Sequence, residues 1–343
     1  MPVIMKENSR IVIHRLGDSF RECTHVVTDA LEPPGPGEVV VCNHFAGVNG
    51  VYDQMMCANE VAHTPVEPPA DAGVEAIGVI DAVGAGVETV RVGEPVVTVG
   101  AGGGYRLYTT CAAAAAIRVP EVSREVLALI PSGVSALLAL ERVGEMTSGE
   151  RVCITAAAGG LGNIATQLAV NVGNEVIAVC GGDDKADWLR STGVARVVQY
   201  RREALADVLA SECPEAIDLA MDSVGGETFD ALLDNLAPHG RLVVCGATTD
   251  RLPPVEVMQQ RVYTRLYWKA ASVRGFMNYR FARHAPDARR RLLAMLAAGD
   301  IRPLVDPRPF SGLDAVADAV EHLLAGRNRG KVIVDLRADH ENA

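Results

Sequence analysis

The sequence predicts an α/β protein: a doubly wound parallel sheet joined to a second, β-rich domain. Three observations predict it. First, apolar strand-like runs at 151–155, 175–180, 217–221 and 241–246 alternate with helical stretches at 161–172, 184–192, 203–211 and 226–236. That alternation is the mark of a parallel sheet with helices on both faces. Second, residues 8–125 carry short apolar runs at 11–14, 39–42, 74–83 and 95–99, broken by turns such as Pro33-Pro34-Gly35-Pro36-Gly37. Third, one of the strand-to-helix turns, 156–162, is built almost wholly from alanine and glycine.

The order of these elements sets the domain plan. Residues 126–285 form the parallel-sheet domain, and 1–125 with 286–343 form the β-rich one. Helical runs at 287–298 and 313–324 and a final strand at 331–336 make the return segment. A length of 343 residues fits two domains.

The small-residue turn carries the most specific signal. Ala157-x-Gly159-x-x-Gly162 is the dinucleotide fingerprint with alanine at its first position. Glycine lets the backbone turn sharply and approach a pyrophosphate, and the helix start offers N–H donors and a positive dipole end. Ala158, Gly159, Gly160, Leu161 and Gly162 are the candidate phosphate cradle of a Rossmann unit. The site is expected at the C-terminal ends of the parallel strands.

Composition excludes some functions. A net charge of −11 argues against a nucleic-acid or anionic-membrane surface. The longest run of small apolar residues, 111–117, is too short to span a bilayer. The opening MPVIMKENSR lacks a signal-peptide apolar region, so a cytoplasmic location is expected. Cysteines at 23, 42, 57, 111, 153, 180, 213 and 245 form no CxxC pair and read as small buried hydrophobes. Only four lysines occur, Lys6, Lys185, Lys269 and Lys331, which makes each a question.

Motifs along nearly the whole chain carry a family likeness. They are FAGVN at 45–49, GVEAIGVIDAVGAGVETVRVGEPV at 73–96, PSGVSALLAL at 131–140 and TAAAGGLG at 155–162, then DSVGG at 222–226, GRLVVCG at 240–246, VRGF at 273–276 and GRNRGKVIVDL at 326–336. The chain resembles the medium-chain dehydrogenase/reductase superfamily and its zinc-free, quinone oxidoreductase-like branch. LGDSFRE, TAAAGG and NRGK resemble the 15-oxoprostaglandin 13-reductase (prostaglandin reductase 3-like) subgroup. The resemblance implies a Rossmann domain plus a GroES-like catalytic domain. Zinc relatives place Cys and His where this chain has Asn49 and Val74, neither a normal zinc ligand. Ser132 stands near a third ligand position, and only Cys111 remains of the structural zinc lobe. The resemblance thus implies hydride transfer without zinc, with an enolate stabilised by hydrogen bonds alone.

It also implies the cofactor contacts. The second strand ends at Gly181 without an acid, Lys185 matches the lysine that meets the 2′-phosphate, and Tyr200 lines the adenosine phosphate, so NADPH is expected. Arg201 and Arg202 add positive charge, while Asp183 and Asp184 either cap a helix or hold an NADH ribose. Ser223 and Val224, within 222–225, fall beside the nicotinamide ribose. Cys245, Gly246, Ala247 and Phe276 lie near the carboxamide, and Asn328 closes over the phosphates.

The substrate side departs from the family. The tyrosine that relatives carry six residues beyond the FAGVN asparagine is Met55 here, while Tyr52 stands where relatives have Asp. Tyr52 either donates the proton or packs on Met55 and Met56, and Asn49 either orients the substrate carbonyl or nicotinamide or shapes a turn. Asn43, His44 and Tyr263 are weaker candidates, and residues 60–71 suggest a reshaped pocket. The expected activity is NADPH-dependent reduction of an enone or enoyl thioester, such as a polyketide intermediate. Quinone reduction and a non-redox step such as cyclisation remain as alternatives. The expected partners are the small-molecule substrate, free or carrier-bound, and a second copy of the chain, paired through the strand near 273–276. Arg280, Arg283 and Arg289 to Arg291 read as a solvated face.

Overall fold

The chain divides into two units: unit 1, residues 1–131 and 305–343, and unit 2, residues 132–304. The structure, a computed structural model, describes residues 6–61, 64–100, 103–249 and 261–341. Ala62 and His63, within the segment expected to reshape the pocket, and residues 1–5 lie outside the described residues.

The elements run in chain order as follows. β1 (Glu7–Ile13), α1 (Phe20–Cys23), β2 (Thr24–Ala30), β3 (Glu38–Gly47), α2 (Gly50–Cys57), β4 (Ala70–Asp71), β5 (Glu75–Val83), β6 (Pro95–Val99), β7 (Tyr108–Ala112) and β8 (Ile117–Arg118) come first. α3 (Arg124–Leu138) crosses the first boundary. β9 (Arg151–Ile154), α4 (Gly162–Asn171), β10 (Glu175–Cys180), α5 (Asp183–Ser191), β11 (Arg196–Gln199) and α6 (Leu205–Glu212) follow. Then come β12 (Ile217–Asp222), α7 (Gly226–Asp234), β13 (Leu236–Val244), α8 (Tyr263–Tyr267), β14 (Ser272–Gly275) and α9 (Ala285–Ala298). α10 (Val316–Leu324), β15 (Ile333–Asp335) and α11 (Arg337–Glu341) return to the first unit.

Unit 2 is the expected doubly wound domain. Its six parallel strands lie in the order β11-β10-β9-β12-β13-β14. Strands covered on both faces need unbroken apolar runs, and Val152, Cys153, Ile154, Val176, Ile177 and Ala178 are at most 1% exposed. α4 is buried almost throughout, so its polar side chains must find partners inside. Asn163 donates to Gly159 O (2.7 Å) and Gly160 O (2.8 Å) and accepts from Leu304 N (3.0 Å). Gln167 bridges both backbone groups of Arg302. The fingerprint turn is thereby tied to the strand-like segment after α9.

Two expectations are corrected here. The return crossing lies at 304/305, not 285/286, because α9 belongs to unit 2. Its Arg291 forms a two-toothed ion pair with Glu141 (2.6 and 2.7 Å), and Ala288 and Leu292 are buried. β13 begins at Leu236 rather than 241 and ends at Val244, so Cys245 and Gly246 lie just beyond the strand.

Unit 1 centres on the antiparallel order β15-β3-β5-β6-β8, with β7 also on β3, and a second sheet β2-β1-β4. Phe20, Tyr105, Phe310, Val316 and Leu336 pack in its main core. β15 places Ile333 opposite Gly47, and β5 places Glu75 opposite the same glycine. A Cβ on Gly47 would come within 2.2 Å of the Glu75 carboxylate, so only glycine fits. The segment Arg124–Val143, α3 with a π turn at its end, is long and apolar enough to cross a membrane (mean hydropathy 1.7), yet 72% of its apolar window is buried inside the protein.

Candidate active and cofactor site

In unit 2 the site is made by backbone. β9 runs into the turn 155–161, where Ala156 adopts φ 47°, and α4 starts at Gly162. A Cβ on Gly162 would lie 2.2 Å from Ala156 O, so the helix start closes onto the turn only because the side chain is absent. The start of α4 turns the positive end of its dipole toward this turn and attracts an anion. The neighbouring strand end is fixed by Asp222, which is fully buried. Its carboxylate accepts from the Thr155 hydroxyl (2.7 Å), Val224 N (3.0 Å) and Gly225 N (3.0 Å). Thr155 Oγ1 in turn accepts from Ser223 N (2.9 Å). Ser223 and Val224 are therefore held beside the fingerprint turn.

At the end of β10, Gly181 faces Tyr200. A Cβ there would come within 2.5 Å of the Tyr200 ring and hydroxyl, so the tyrosine packs against bare backbone. Lys185 sits half-buried on the first turn of α5, and Arg201 lies over the Tyr200 ring at 5.9 Å. Asp183 pairs with Arg202 (2.5 Å), so its carboxylate is already engaged. Past β13, Cys245 N donates to Asp222 O (2.7 Å), and burial pushes the Cys245 thiol up to about 12, keeping it neutral. Gly246 is half-buried and Ala247 exposed. Phe276 N donates to Val244 O, and its ring stacks on Phe281 at 5.5 Å. These small and flat surfaces along neighbouring strand ends form a cradle that fits a dinucleotide. Asn328 belongs to unit 1, where its amide donates to Gly330 O (2.9 Å).

In unit 1 the site is made by side chains. Asn49 is the residue before α2, a favoured capping position for asparagine, yet its side chain caps nothing. Lys331 Nζ donates to Asn49 Oδ1 (2.8 Å) instead, and Asn49 Nδ2 is buried with no partner among the described residues. The same ammonium lies 2.5 Å from Glu75 Oε1, a close contact of opposite charges without hydrogen-bond alignment. Lys331 and Glu75 are 3% and 2% exposed. Asp53 Oδ2 accepts from Asn49 N (3.0 Å) and from the Tyr105 hydroxyl (2.7 Å). Burial pushes the Asp53 carboxyl up to about 6, against the pull of those hydrogen bonds. Tyr52, half-buried on the first turn of α2, has no hydrogen-bond partner among the described residues.

The weaker candidates separate from this cluster. Asn43 is fully buried and donates to Arg106 O and Thr109 Oγ1, so it serves the sheet. The His44 imidazole is lowered by burial, and Tyr263 is 55% exposed on α8. Ser132 lies inside α3 next to Pro131. The sequence reading missed Lys331, Glu75, Asp53 and Tyr105. The scarcity of lysine was the available signal for the first.

A zinc ion does not fit here. Neither Asn49 nor Val74 is a normal zinc ligand, and the Lys331 ammonium on Asn49 Oδ1 would repel a dication. Among the described residues no three His, Cys, Asp or Glu side chains are grouped so that they could hold a metal ion.

Comparison with known proteins agrees with the two-unit plan. The family described as Alcohol dehydrogenase GroES-like domain matches residues 35–121, and that described as Zinc-binding dehydrogenase matches 160–297. The chain belongs to the medium-chain dehydrogenase/reductase superfamily, in its quinone oxidoreductase-like branch. It is 36% identical to Prostaglandin reductase-3 of Mus musculus over 97% of this chain and 90% of that one. It is also 36% identical to a probable quinone oxidoreductase of Leishmania amazonensis, over 96% and 98%. Among solved structures, Escherichia coli quinone oxidoreductase complexed with NADPH superposes with a TM-score of 0.82 at 25% identity, covering 96% of this chain and all of that one. A mycobacterial protein complexed with NADPH gives 0.83 at 26%, over 96% and 100%.

The Asp53 carboxyl gives a pH signature. Its folded value of about 6 lies above the ordinary 3.8, so the folded state holds the proton more tightly. The resulting stabilisation is full below about pH 3.8 and is lost as pH rises through 6. Asp53→Asn is expected to remove this term. The variant should gain roughly 1–3 kcal/mol on the wild type between pH 4 and pH 8, read by urea unfolding at both pH values. Parallel pH profiles would remove the assignment.

Proposed function

We propose that this protein reduces the activated carbon–carbon double bond of an enone or enoyl thioester with NADPH. When bound, NADPH supplies the hydride. The observation that carries the reading is the buried, unpartnered Asn49 Nδ2. Attack at the β-carbon drives negative charge onto the substrate carbonyl oxygen, and a fixed N–H donor lowers the energy of that charge. Tyr52, on the turn that Asn49 begins, presents a free hydroxyl that protonates the α-carbon. The cradle of unit 2 and the NADPH complexes of similar proteins support the cofactor. Asp183 is paired with Arg202, which weakens the NADH reading. The likeness to a quinone oxidoreductase favours a second reading, quinone reduction at the same site, which needs no proton donor at Tyr52. The edge strand β14, with Tyr263 and Tyr267 exposed on α8 and Trp268 exposed just after it, supports a homodimer paired along that edge.

NADPH oxidation against medium-chain enones, enoyl thioesters and a simple quinone tests the reading. Asn49→Ala should lower kcat about 100-fold with the NADPH Kd unchanged. Tyr52→Phe should cost enone turnover about 100-fold and spare quinone turnover. Turnover of the quinone alone would replace the proposal by the second reading, and no turnover of any class would end both.

Lys185→Ala is expected to raise KM for NADPH about tenfold and leave that for NADH alone, as loss of one charge-assisted contact implies. Equal effects on the two cofactors would reassign the lysine.

Sedimentation equilibrium should give twice the 36.3 kDa chain mass at micromolar concentration. A mass of 36.3 kDa would refute the dimer.

A further inference from the structure

We propose that the buried Lys331–Glu75 pair is a positioning device that decides which end of the Asn49 amide meets the substrate. The inference rests on the reading of Asn49 Nδ2 as the carbonyl donor and names what aims it.

An asparagine side chain is nearly symmetric in shape, and its two ends differ only in what they can bond. Before a helix, the oxygen is drawn to the helix's own first N–H groups, the ordinary cap. Asn49 does not cap α2, although it stands at the capping position. Its oxygen is held by Lys331 Nζ at 2.8 Å, and an ammonium can only donate, so the orientation is chemically unambiguous. With the oxygen captured, the N–H2 end is left over, buried and unpartnered. The backbone is pinned separately, since Asn49 N donates to Asp53 Oδ2 and Asp53 is held by Tyr105. Backbone and side chain thus have different anchors, and the side-chain anchor is the lysine.

The carboxylate explains why a lysine can serve. A buried charge is costly unless an opposite charge lies against it, and Lys331 is only 3% exposed. Glu75 lies 2.5 Å from its ammonium, and Gly47 provides the room for the carboxylate. A positive charge on Oδ1 also polarises the amide and strengthens its N–H as a donor. Asn49 and Lys331 are 282 residues apart along the chain, so no local turn imposes the arrangement.

The test is a coupling experiment on the full-length protein. Lys331→Met alone strands a buried carboxylate and is prone to misfold. The charge-free pair Lys331→Met/Glu75→Gln is therefore made alone and in an Asn49→Ala background, with Lys331→Arg as the conservative variant. Enone turnover, NADPH Kd by fluorescence and Tm are measured for each. We expect the pair variant to lose kcat about 100-fold, as Asn49→Ala does, with NADPH Kd held. In the Asn49→Ala background it should cost nothing further, and Lys331→Arg should recover part of the rate. Losses that multiply independently of Asn49, or no loss at all, overturn the proposal. If Asn49→Ala itself keeps full kcat, the donor reading falls. The positioning claim is then decided by a crystal structure of the pair variant. Oδ1 turned onto the first N–H groups of α2 upholds it, and an unmoved amide refutes it.

Discussion

One buried ammonium organises the GroES-like unit. Lys331 touches Asn49 at the start of α2 and Glu75 at the start of β5, and it precedes β15, which completes the sheet beside β3. Burying the two charges costs several kcal/mol each, and their attraction does little more than repay it. Removing one partner leaves the other charged and dry, at about 3–5 kcal/mol. The pair therefore adds little net stability and much definition. It permits one arrangement of three segments and penalises the rest. Gly47 belongs to the same constraint, because any side chain there would collide with the carboxylate.

The two units solve a similar problem with similar parts. Each places a fully or nearly fully buried aspartate at the end of a strand or the start of a helix, and each gives it a hydroxyl and at least one backbone N–H. Asp222 takes Thr155, Val224 and Gly225, and becomes a rigid staple between two parallel strands. Asp53 takes Tyr105 and Asn49 on one oxygen and leaves the other without a partner. Incomplete satisfaction is what lets burial raise its carboxyl into a range where pH matters. Unit 2 thus offers fixed backbone for a dinucleotide. Unit 1 offers side chains whose charge and orientation depend on one another.

That difference explains what the sequence disclosed. The parallel strands were legible because burial on both faces demands continuous apolar runs, as in Val152 to Ile154. The fingerprint was legible because Gly162 is a steric necessity written in one residue. α2 was not foreseen. It opens with Gly50, its apolar residues form only a weak stripe, and Asn49, the residue that should announce it, bonds elsewhere. β2 was missed because its side chains are mostly exposed and carry no alternation against a core. Asn49 and Tyr52 could be nominated from the family likeness, since they lie in or beside one short motif. Lys331 could not be given a role, because its meaning lies in Glu75 and Asn49, far away in the chain, and burial of a lysine leaves no local trace. The return crossing was misplaced because α9 looks like any amphipathic helix, while its allegiance is set by Arg291 finding Glu141.

The discontinuity of unit 1 has a consequence for how the protein is made. β3, α2 and β5 all lie within the first quarter of the chain, but their charge partner and the strand β15 come from its last segment. Until residue 331 leaves the ribosome, Glu75 has no counter-charge and one edge of β3 lies open, while unit 2 already possesses every strand of its sheet. Synthesis therefore completes the strands of unit 2 before those of unit 1, an order that protease resistance of stalled chains reads directly. A truncated or prematurely ended chain keeps every strand of the unit 2 sheet and lacks both β15 and the ammonium that faces Glu75.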